Sequence, residues 1–337
     1  MRAIVLVGGF GTRLRPLTWS TPKQMLPVVD RPMIERVVTH LGSHGVTDAI
    51  LSLGYRPDAF IGAYPDDLCA GVRLHYAVEP EPLDTAGAVR FAAEAASIDG
   101  RFLVVNGDVL TDLDVTDLWA RHETSGAEGT VALTEVDEPS RYGVVPLETE
   151  PHGRVTEFVE KPPPGEAPSN WINAGTYVLE ASVIERIPAA RPSSIERRTF
   201  PEMVEDGTLW ALQSSAYWID TGTAASYLRA QLDLVDGTRS SEPAVAADAH
   251  LDPSASVSHS VVMCGARVGA GATVSGSVLL PGAVVGKGSV VLDSVVGPGS
   301  AVGPGAELRG LTVLGDEVVV EAGAVLDGVV RPERDDG

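Results

Sequence analysis

The segment Gly8-Gly9-Phe10-Gly11-Thr12-Arg13-Leu14-Arg15-Pro16-Leu17-Thr18, followed by Pro22-Lys23-Gln24-Met25-Leu26-Pro27, has the residue types that phosphate chemistry needs. Glycines after an apolar strand let the backbone approach a phosphate and donate N–H groups to it. Arg13, Arg15 and Lys23 add mobile positive charge to the same loop. Two better-known phosphate loops do not fit. A Walker A loop needs G-x-x-x-x-G-K-[ST], which is absent. A dinucleotide fingerprint needs a third glycine and a following helix. Asp30 lies at a suggestive distance for that motif, but Pro16, Pro22 and Pro27 forbid the helix. Solvated loop charges remain the plain alternative for the three cations.

Other candidates lie further along. Asn106-Gly107-Asp108 closes an apolar run, and Asp220 precedes Thr221-Gly222-Thr223; both aspartates also fit ordinary turn or cap positions. Glu160-Lys161-Pro162 reads equally as a surface ion pair beside a proline turn. Asn173 and Gly143 also fit a turn amide and a strand glycine, and Leu6 fits the core.

These side chains need a scaffold, and the apolar pattern supplies one. Ala3 to Val7, Asp48 to Leu53 and Phe102 to Val105 read as buried strands, and Pro32 to Gly45 and Thr85 to Ala96 as helices. Strands alternating with helices predict a parallel α/β sheet with ligands at the carboxyl ends of the strands, where Gly8-Gly9 and Asp108 stand. Near residue 236 the composition changes, and Asp236 to Pro243 reads as a linker. Beyond it Val-Gly-x-Gly-Ala/Ser recurs from Val268, Val285, Val296 and Val302. Apolar residues fall on every sixth position at Val296, Val302, Leu308, Leu314, Val320 and Leu326. That period is the hexapeptide signature of a β-helix; spacing alone does not give its hand.

Composition narrows the function. Of 337 residues 44% are hydrophobic and 5% aromatic, enough for a core built on Val, Leu, Ile and Ala. A net charge of −21 argues against sequence-independent nucleic-acid binding and makes a local cationic site necessary for any anionic substrate. Cys69 and Cys264 are too far apart in sequence for zinc-ligand spacing and suit a reducing cytoplasm. The N-terminal apolar run is too short for a signal peptide or a membrane span.

Taken in order, the motifs resemble the sugar-1-phosphate nucleotidyltransferases. The glycine loop with Pro22-Lys23 is similar to that family's G-G-x-G-T-R-L-R-P-L-T…P-K signature, and Pro82-Leu83-Asp84-Thr85-Ala86-Gly87-Ala88 to its P-L-G-T-A-G-A segment. Asn106-Gly107-Asp108-Val109, Phe158-Val159-Glu160-Lys161-Pro162, Trp171-Ile172-Asn173-Ala174-Gly175-Thr176-Tyr177, Ser194-Ile195-Glu196-Arg197 and Tyr217-Trp218-Ile219-Asp220-Thr221-Gly222-Thr223 also match. The likeness leans to the mannose-1-phosphate guanylyltransferase branch. It implies a Rossmann-like α/β domain with a mixed sheet over 1–236, a linker at 237–250, a left-handed β-helix of hexapeptide repeats at 251–330 and a tail at 331–337.

It also implies roles. Arg13 and Lys23 would be catalytic, against the leaving and transferred phosphates. Leu6, Gly8, Gly9, Gly11, Thr12, Thr85, Gly87, Asn106, Gly107 and Asp108 would surround the nucleotide. Gly143, Glu160, Lys161 and Asn173 would hold the sugar phosphate, and Asp108 and Asp220 would hold Mg²⁺. The implied substrates are a nucleoside triphosphate, GTP favoured, and a sugar 1-phosphate, mannose 1-phosphate favoured. Thymidylyl transfer, or a glucose, heptose or cyclitol phosphate, stays open. A cytoplasmic homo-oligomer that binds neither nucleic acid nor membrane is expected. Asp84 stands where the family usually has glycine, either to accept from guanine N–H groups or to face solvent, and Gln24 replaces a common proline. The repeats alone would also suit a hexapeptide acyltransferase, but no histidine follows residue 259. A non-catalytic regulatory relative is disfavoured because Arg13, Lys23, Asp108, Lys161 and Asp220 are all kept.

Overall fold

A computed structural model describes residues 1–54 and 56–333, so the last part of the expected tail, 334–337, lies outside the described residues. Packing divides the chain into two units: Met1–Gly9 with Ile34–Trp218, and Phe10–Met33 with Ile219–Gly337.

The first unit is built on an 11-stranded mixed sheet. Arg2–Leu6 lies at its centre, parallel to Asp48–Leu53 on one side and to Phe102–Asn106 on the other. These strands are apolar almost throughout, as strands covered on both faces must be. Trp171–Leu179 runs antiparallel to Phe102–Asn106 and to Gly129–Glu135, which makes the sheet mixed rather than purely parallel. The expected strands and helices form with ends moved by a residue or two: the first strand is Arg2–Leu6, and the helices are Met33–Ser43 and Asp84–Ala95. Ala86, Val89, Ala92 and Ala93 of the last helix enter a core with Phe102, Val104, Tyr177 and Phe200. Burying a side chain of the Val or Phe class contributes roughly 1.5–3 kcal/mol.

The second unit carries the β-helix. Three sheets of five short parallel strands stack coil on coil. Val261, Val278, Val295, Val313 and Val330 form one such column. One apolar residue per strand points inward, so Val296, Val302, Leu308, Leu314 and Val320 are buried together and Leu326 packs against them. The six-residue phase holds there, but upstream it slips. Val268, Val274, Leu279, Val285, Val291 and Val296 share the same core at successive spacings of six, five, six, six and five. One corner of each earlier coil is a residue shorter. Buried hydroxyls stitch that corner, with Ser260 Oγ accepting from Ser277 N and Ser277 Oγ from Ser294 N, each at 3.1 Å. The second glycine of every Val-Gly-x-Gly motif, at 271, 288, 299 and 305, has left-handed φ between 65° and 69°. A side chain there costs about 1 kcal/mol or more.

The same unit contains Phe10–Met33, secured at two places. The helix Ala224–Val235 holds its distal part: Val29 N donates to Gln231 Oε1 at 2.7 Å, and the Tyr227 hydroxyl donates to Pro27 O. The β-helix holds its proximal part, where Pro16 lies against Gly315 and the Ser20 hydroxyl donates to Asp316 Oδ2. Among the described residues no helix is long and apolar enough to cross a membrane.

Candidate active site

In the first unit the strand Arg2–Leu6 ends at Leu6, which pairs with Asn106. The Asn106-Gly107-Asp108 turn folds back over this end, with Gly107 N donating to Leu6 O at 2.9 Å. A side chain on Gly107 would meet Val7 and Leu6 at 2.6–3.0 Å, so the turn can sit this close only with glycine. Gly8 and Gly9 follow into open space, with nothing within 4 Å of a built Cβ, and Gly9 has φ +101°. Exposed backbone N–H groups beside a strand end are the arrangement a phosphate needs. Leu6, Gly8, Gly9, Asn106, Gly107 and Asp108 are thus brought to one edge.

Asn173 sits in Trp171–Leu179 where the pairing with Gly129–Glu135 shifts register between Asn173 and Tyr177. Its Oδ1 accepts from Gly175 N and its Nδ2 donates to the Tyr177 hydroxyl, both at 2.9 Å. Gly175 has φ +75°, and a Cβ there would stand 2.5 Å from Asn106 Nδ2. Fully buried Tyr177 is the hub of this group. Burial pushes its phenol above the usual range, and the carboxylates of Glu196, Glu160 and Asp108 push in the same direction. Gly143 pairs with Glu160, Lys161 N donates to Tyr142 O, and the Lys161 ammonium lies 3.2 Å from Glu160.

Thr85 opens the helix Asp84–Ala95. Its hydroxyl donates to Glu196 Oε2 at 2.7 Å and accepts from Ile195 N, while Ser194 Oγ donates to the same carboxylate oxygen. Gly87, two residues on, is packed against Leu83 and the Arg191 carbonyl, a close-packing glycine rather than an open one. Asp84 is exposed with φ +59°. That left-handed backbone is a physical reason for the glycine usual there, and Asp is among the side chains that tolerate it best.

In the second unit, Gly11 (φ +59°) turns the chain into the short helix Thr12–Leu14, and Thr18 Oγ1 donates back to Gly11 O at 2.8 Å. A Cβ on Gly222 would meet the Arg13 Nη2 atom at 2.6 Å and Asp220 Oδ1 at 2.8 Å. A guanidinium and a carboxylate therefore flank the same backbone atom, which only glycine leaves uncovered. Asp220 Oδ1 also accepts from Gly222 N at 2.7 Å. The helix cap is Thr223, in a capping box with Ser226, so Asp220 is not needed as the cap. Lys23 begins a short turn with Gln24, which is buried with neither amide atom hydrogen-bonded within the protein.

Residue-type reasoning overlooked Tyr177, Glu196 and Glu79. Glu79 accepts from Ser52 Oγ and from Leu83 N and so fixes the stretch before Asp84. Glu196 and Tyr177 stood inside matched segments without a role of their own, whereas nothing in the local pattern marks Glu79.

A family model described as nucleotidyl transferase matches residues 2–237. The chain belongs to the nucleotidyl transferase family. A second model, described as the GMPPB C-terminal domain, matches residues 240–334. Among relatives of this nucleotidyl transferase, a mannose-1-phosphate guanyltransferase of Gibberella zeae is 42% identical over 232 residues, 68% of this chain and 62% of that relative's own length. One from Schizosaccharomyces pombe is 40% identical over 269 residues, 76% of this chain and 73% of the relative. Two solved structures of HddC from Yersinia pseudotuberculosis, one complexed with GMP-PN, share 30% identity and superpose with TM-scores of 0.59 and 0.58, covering 68% of this chain and 97% of theirs.

Among the described residues no group of three or more His, Cys, Asp or Glu is arranged to hold a metal ion. These residues thus offer no closed cage, and Asp108 in the first unit and Asp220 in the second are each single carboxylates. A lone carboxylate of either kind fits Mg²⁺, which takes one or two carboxylates and fills its shell with phosphate oxygens and water.

Proposed function

We propose that the chain transfers GMP from GTP to mannose 1-phosphate, releasing pyrophosphate and GDP-mannose. The observation that carries this reading is the convergence of Arg13 and Asp220 on Gly222. A phosphate-binding cation and a carboxylate suited to a divalent ion stand together on the segments that carry the family motifs. The names of the relatives and the GMP-PN complex of a structural neighbour favour guanine and mannose.

In this reaction a phosphate oxygen of the sugar 1-phosphate attacks the α-phosphorus, a P–O bond forms, and the α–β bridging P–O bond breaks with its electron pair leaving on pyrophosphate. The nucleophile is already an anion, so no side chain has to remove a proton. The barrier lies in bringing two anions into line and in charge building on the leaving group. In this reading Arg13 meets the leaving phosphates and Lys23 the transferred α-phosphate. Gly8, Gly9, Gly11 and Thr12 present the backbone to the triphosphate. Leu6, Gly8, Thr85 and Gly87 surround base and ribose, and Asn106 and Gly107 complete the nucleotide site. Gly143, Glu160, Lys161 and Asn173 orient the sugar phosphate. Asp108 and Asp220 would hold Mg²⁺, which when bound neutralises phosphate charge. We place the catalytic region at 1–236 and the β-helix at 251–330, in a cytoplasmic homo-oligomer.

Lys23→Ala tests the mechanism. Losing a preorganised cation at the transferred phosphate should lower kcat by about 10²–10³, with GDP-mannose formation followed by ³¹P NMR. Unchanged turnover would remove Lys23 from the chemistry.

A further inference from the structure

At the corner Leu314–Glu317 the β-helix loses the left-handed glycine of its Val-Gly-x-Gly motifs, and that corner carries the loop of Arg13 and Lys23. In the four Val-Gly-x-Gly motifs the left-handed fourth position is always glycine. The corresponding corner of the next coil reads Leu314-Gly315-Asp316-Glu317, with Glu317 in the same left-handed backbone at φ +55°. Its stacking places Val313 on Val295. Asp316 therefore stands over Pro298 of the Val296-Gly297-Pro298-Gly299 motif. A local rule broken in a regular repeat, without gain to the repeat itself, marks a position serving something else. Here the added carboxylate accepts the Ser20 hydroxyl, and buried Pro16 rests on Gly315, where a Cβ would meet its ring at 2.9–3.0 Å.

The two contacts bracket one short stretch. From Pro16 the chain runs back through buried Leu14 into the helix Thr12–Leu14 and so to Arg13. From Ser20 it runs forward through Pro22 to Lys23. Leu17 and Thr18 between them are buried, and Leu17 N and Trp19 N donate to Leu14 O and Pro16 O. A displacement at the corner is thus passed along a packed turn instead of being absorbed by slack chain.

We propose that the corner Gly315–Glu317 is a positioning element for the signature loop, with Asp316 and Gly315 as positioning residues for Arg13 and Lys23. The role assigned to those cations rests on the function proposed above; the brace itself does not. The test compares wild type, Asp316→Ala, Asp316→Asn and Gly315→Ala, with Glu321→Ala as a control on exposed surface of the same domain. Hydrogen exchange is read at the amides of Leu14, Leu17, Trp19, Met25 and Leu26, and steady-state rates are taken with Mg²⁺, GTP and mannose 1-phosphate.

The proposal expects faster exchange at these amides in Asp316→Ala and Gly315→Ala, and kcat/KM for GTP reduced about ten-fold, because small misplacements of catalytic groups are costly. KM for mannose 1-phosphate should stay within about two-fold, since the sugar segments lie elsewhere. Asp316→Asn, which still offers an oxygen to Ser20, should recover most of the loss. If Gly315→Ala fails to fold by circular dichroism, the Asp316 pair decides alone. Loop exchange unchanged in a folded Asp316→Ala would overturn the brace, and faster exchange with unchanged kcat/KM would overturn its positioning role. A wild type silent with both substrates, yet with faster loop exchange in the variants, would support the brace while refuting the proposed function.

Discussion

At Gly175 two requirements meet that no other residue satisfies. Its φ of +75° is left-handed, and a Cβ would stand 2.5 Å from the Asn106 amide, so the glycine lets Asn106 pack closely while its own N–H donates to Asn173. Gly175→Ala should lose about 1–2 kcal/mol from backbone strain alone, read by urea unfolding, and should also lower kcat because Asn106 must move. A variant as stable and as active as wild type would show that the close approach is dispensable. Residue types alone made Arg13, Lys23, Asp108 and Asp220 visible as candidates, because charge beside glycine has few uses. They could not show that a Gly222 Cβ would strike both Arg13 and Asp220, a fact that depends on how distant segments pack. The role of Tyr177 was invisible for the same reason. An aromatic in an apolar strand reads as core, and only the fold gathers Asn173, Glu160, Glu196 and Asp108 around it.

Among the elements, the helix Val115–Ser125 is fastened through its one buried histidine. His122 lies 2.8 Å from Thr130 Oγ1 and 3.2 Å from Glu180 Oε1, and burial holds its pKa below the ordinary histidine value of 6.5 although Glu180 pulls the other way. Because the unfolded chain takes up this proton first, the contribution is constant above pH 6.5. Stability then falls as pH drops below 6.5, by at most about 1.4 kcal/mol per pH unit. Glu180, Glu128 and Asp48 have depressed pKa values, so their stabilisation is lost only further into acid. Urea midpoints at pH 7.0 and 5.5 should therefore separate more for wild type than for His122→Gln. Equal separations would remove His122 from the acid response. Periodicity made most of these elements legible, since an apolar run or a six-residue phase reports burial directly. It did not show the register shift beside Asn173, which is set by strand pairing rather than by side-chain polarity, and a single six-residue phase passed over the five-residue steps in the early coils.

On the scale of the molecule, a chain with net charge −21 is proposed to bring together two anions. Its cations are therefore expected to be few and placed by structure rather than by a general field. The packing of Phe10–Met33 with Ile219–Gly337 shows how that placement is achieved, since the loop of Arg13 and Lys23 is fixed by a helix and by a repeat domain from the far end of the sequence. No linear pattern announces such an arrangement. The most direct test of the account is pyrophosphate release measured with each of four nucleoside triphosphates against a set of sugar 1-phosphates, with and without a chelator. The account predicts Mg²⁺-dependent release, fastest with GTP and mannose 1-phosphate and abolished by the chelator. Release favouring another pair would keep the chemistry and move the specificity, whereas no release from any pair, with Mg²⁺ present and the protein folded, would contradict the account.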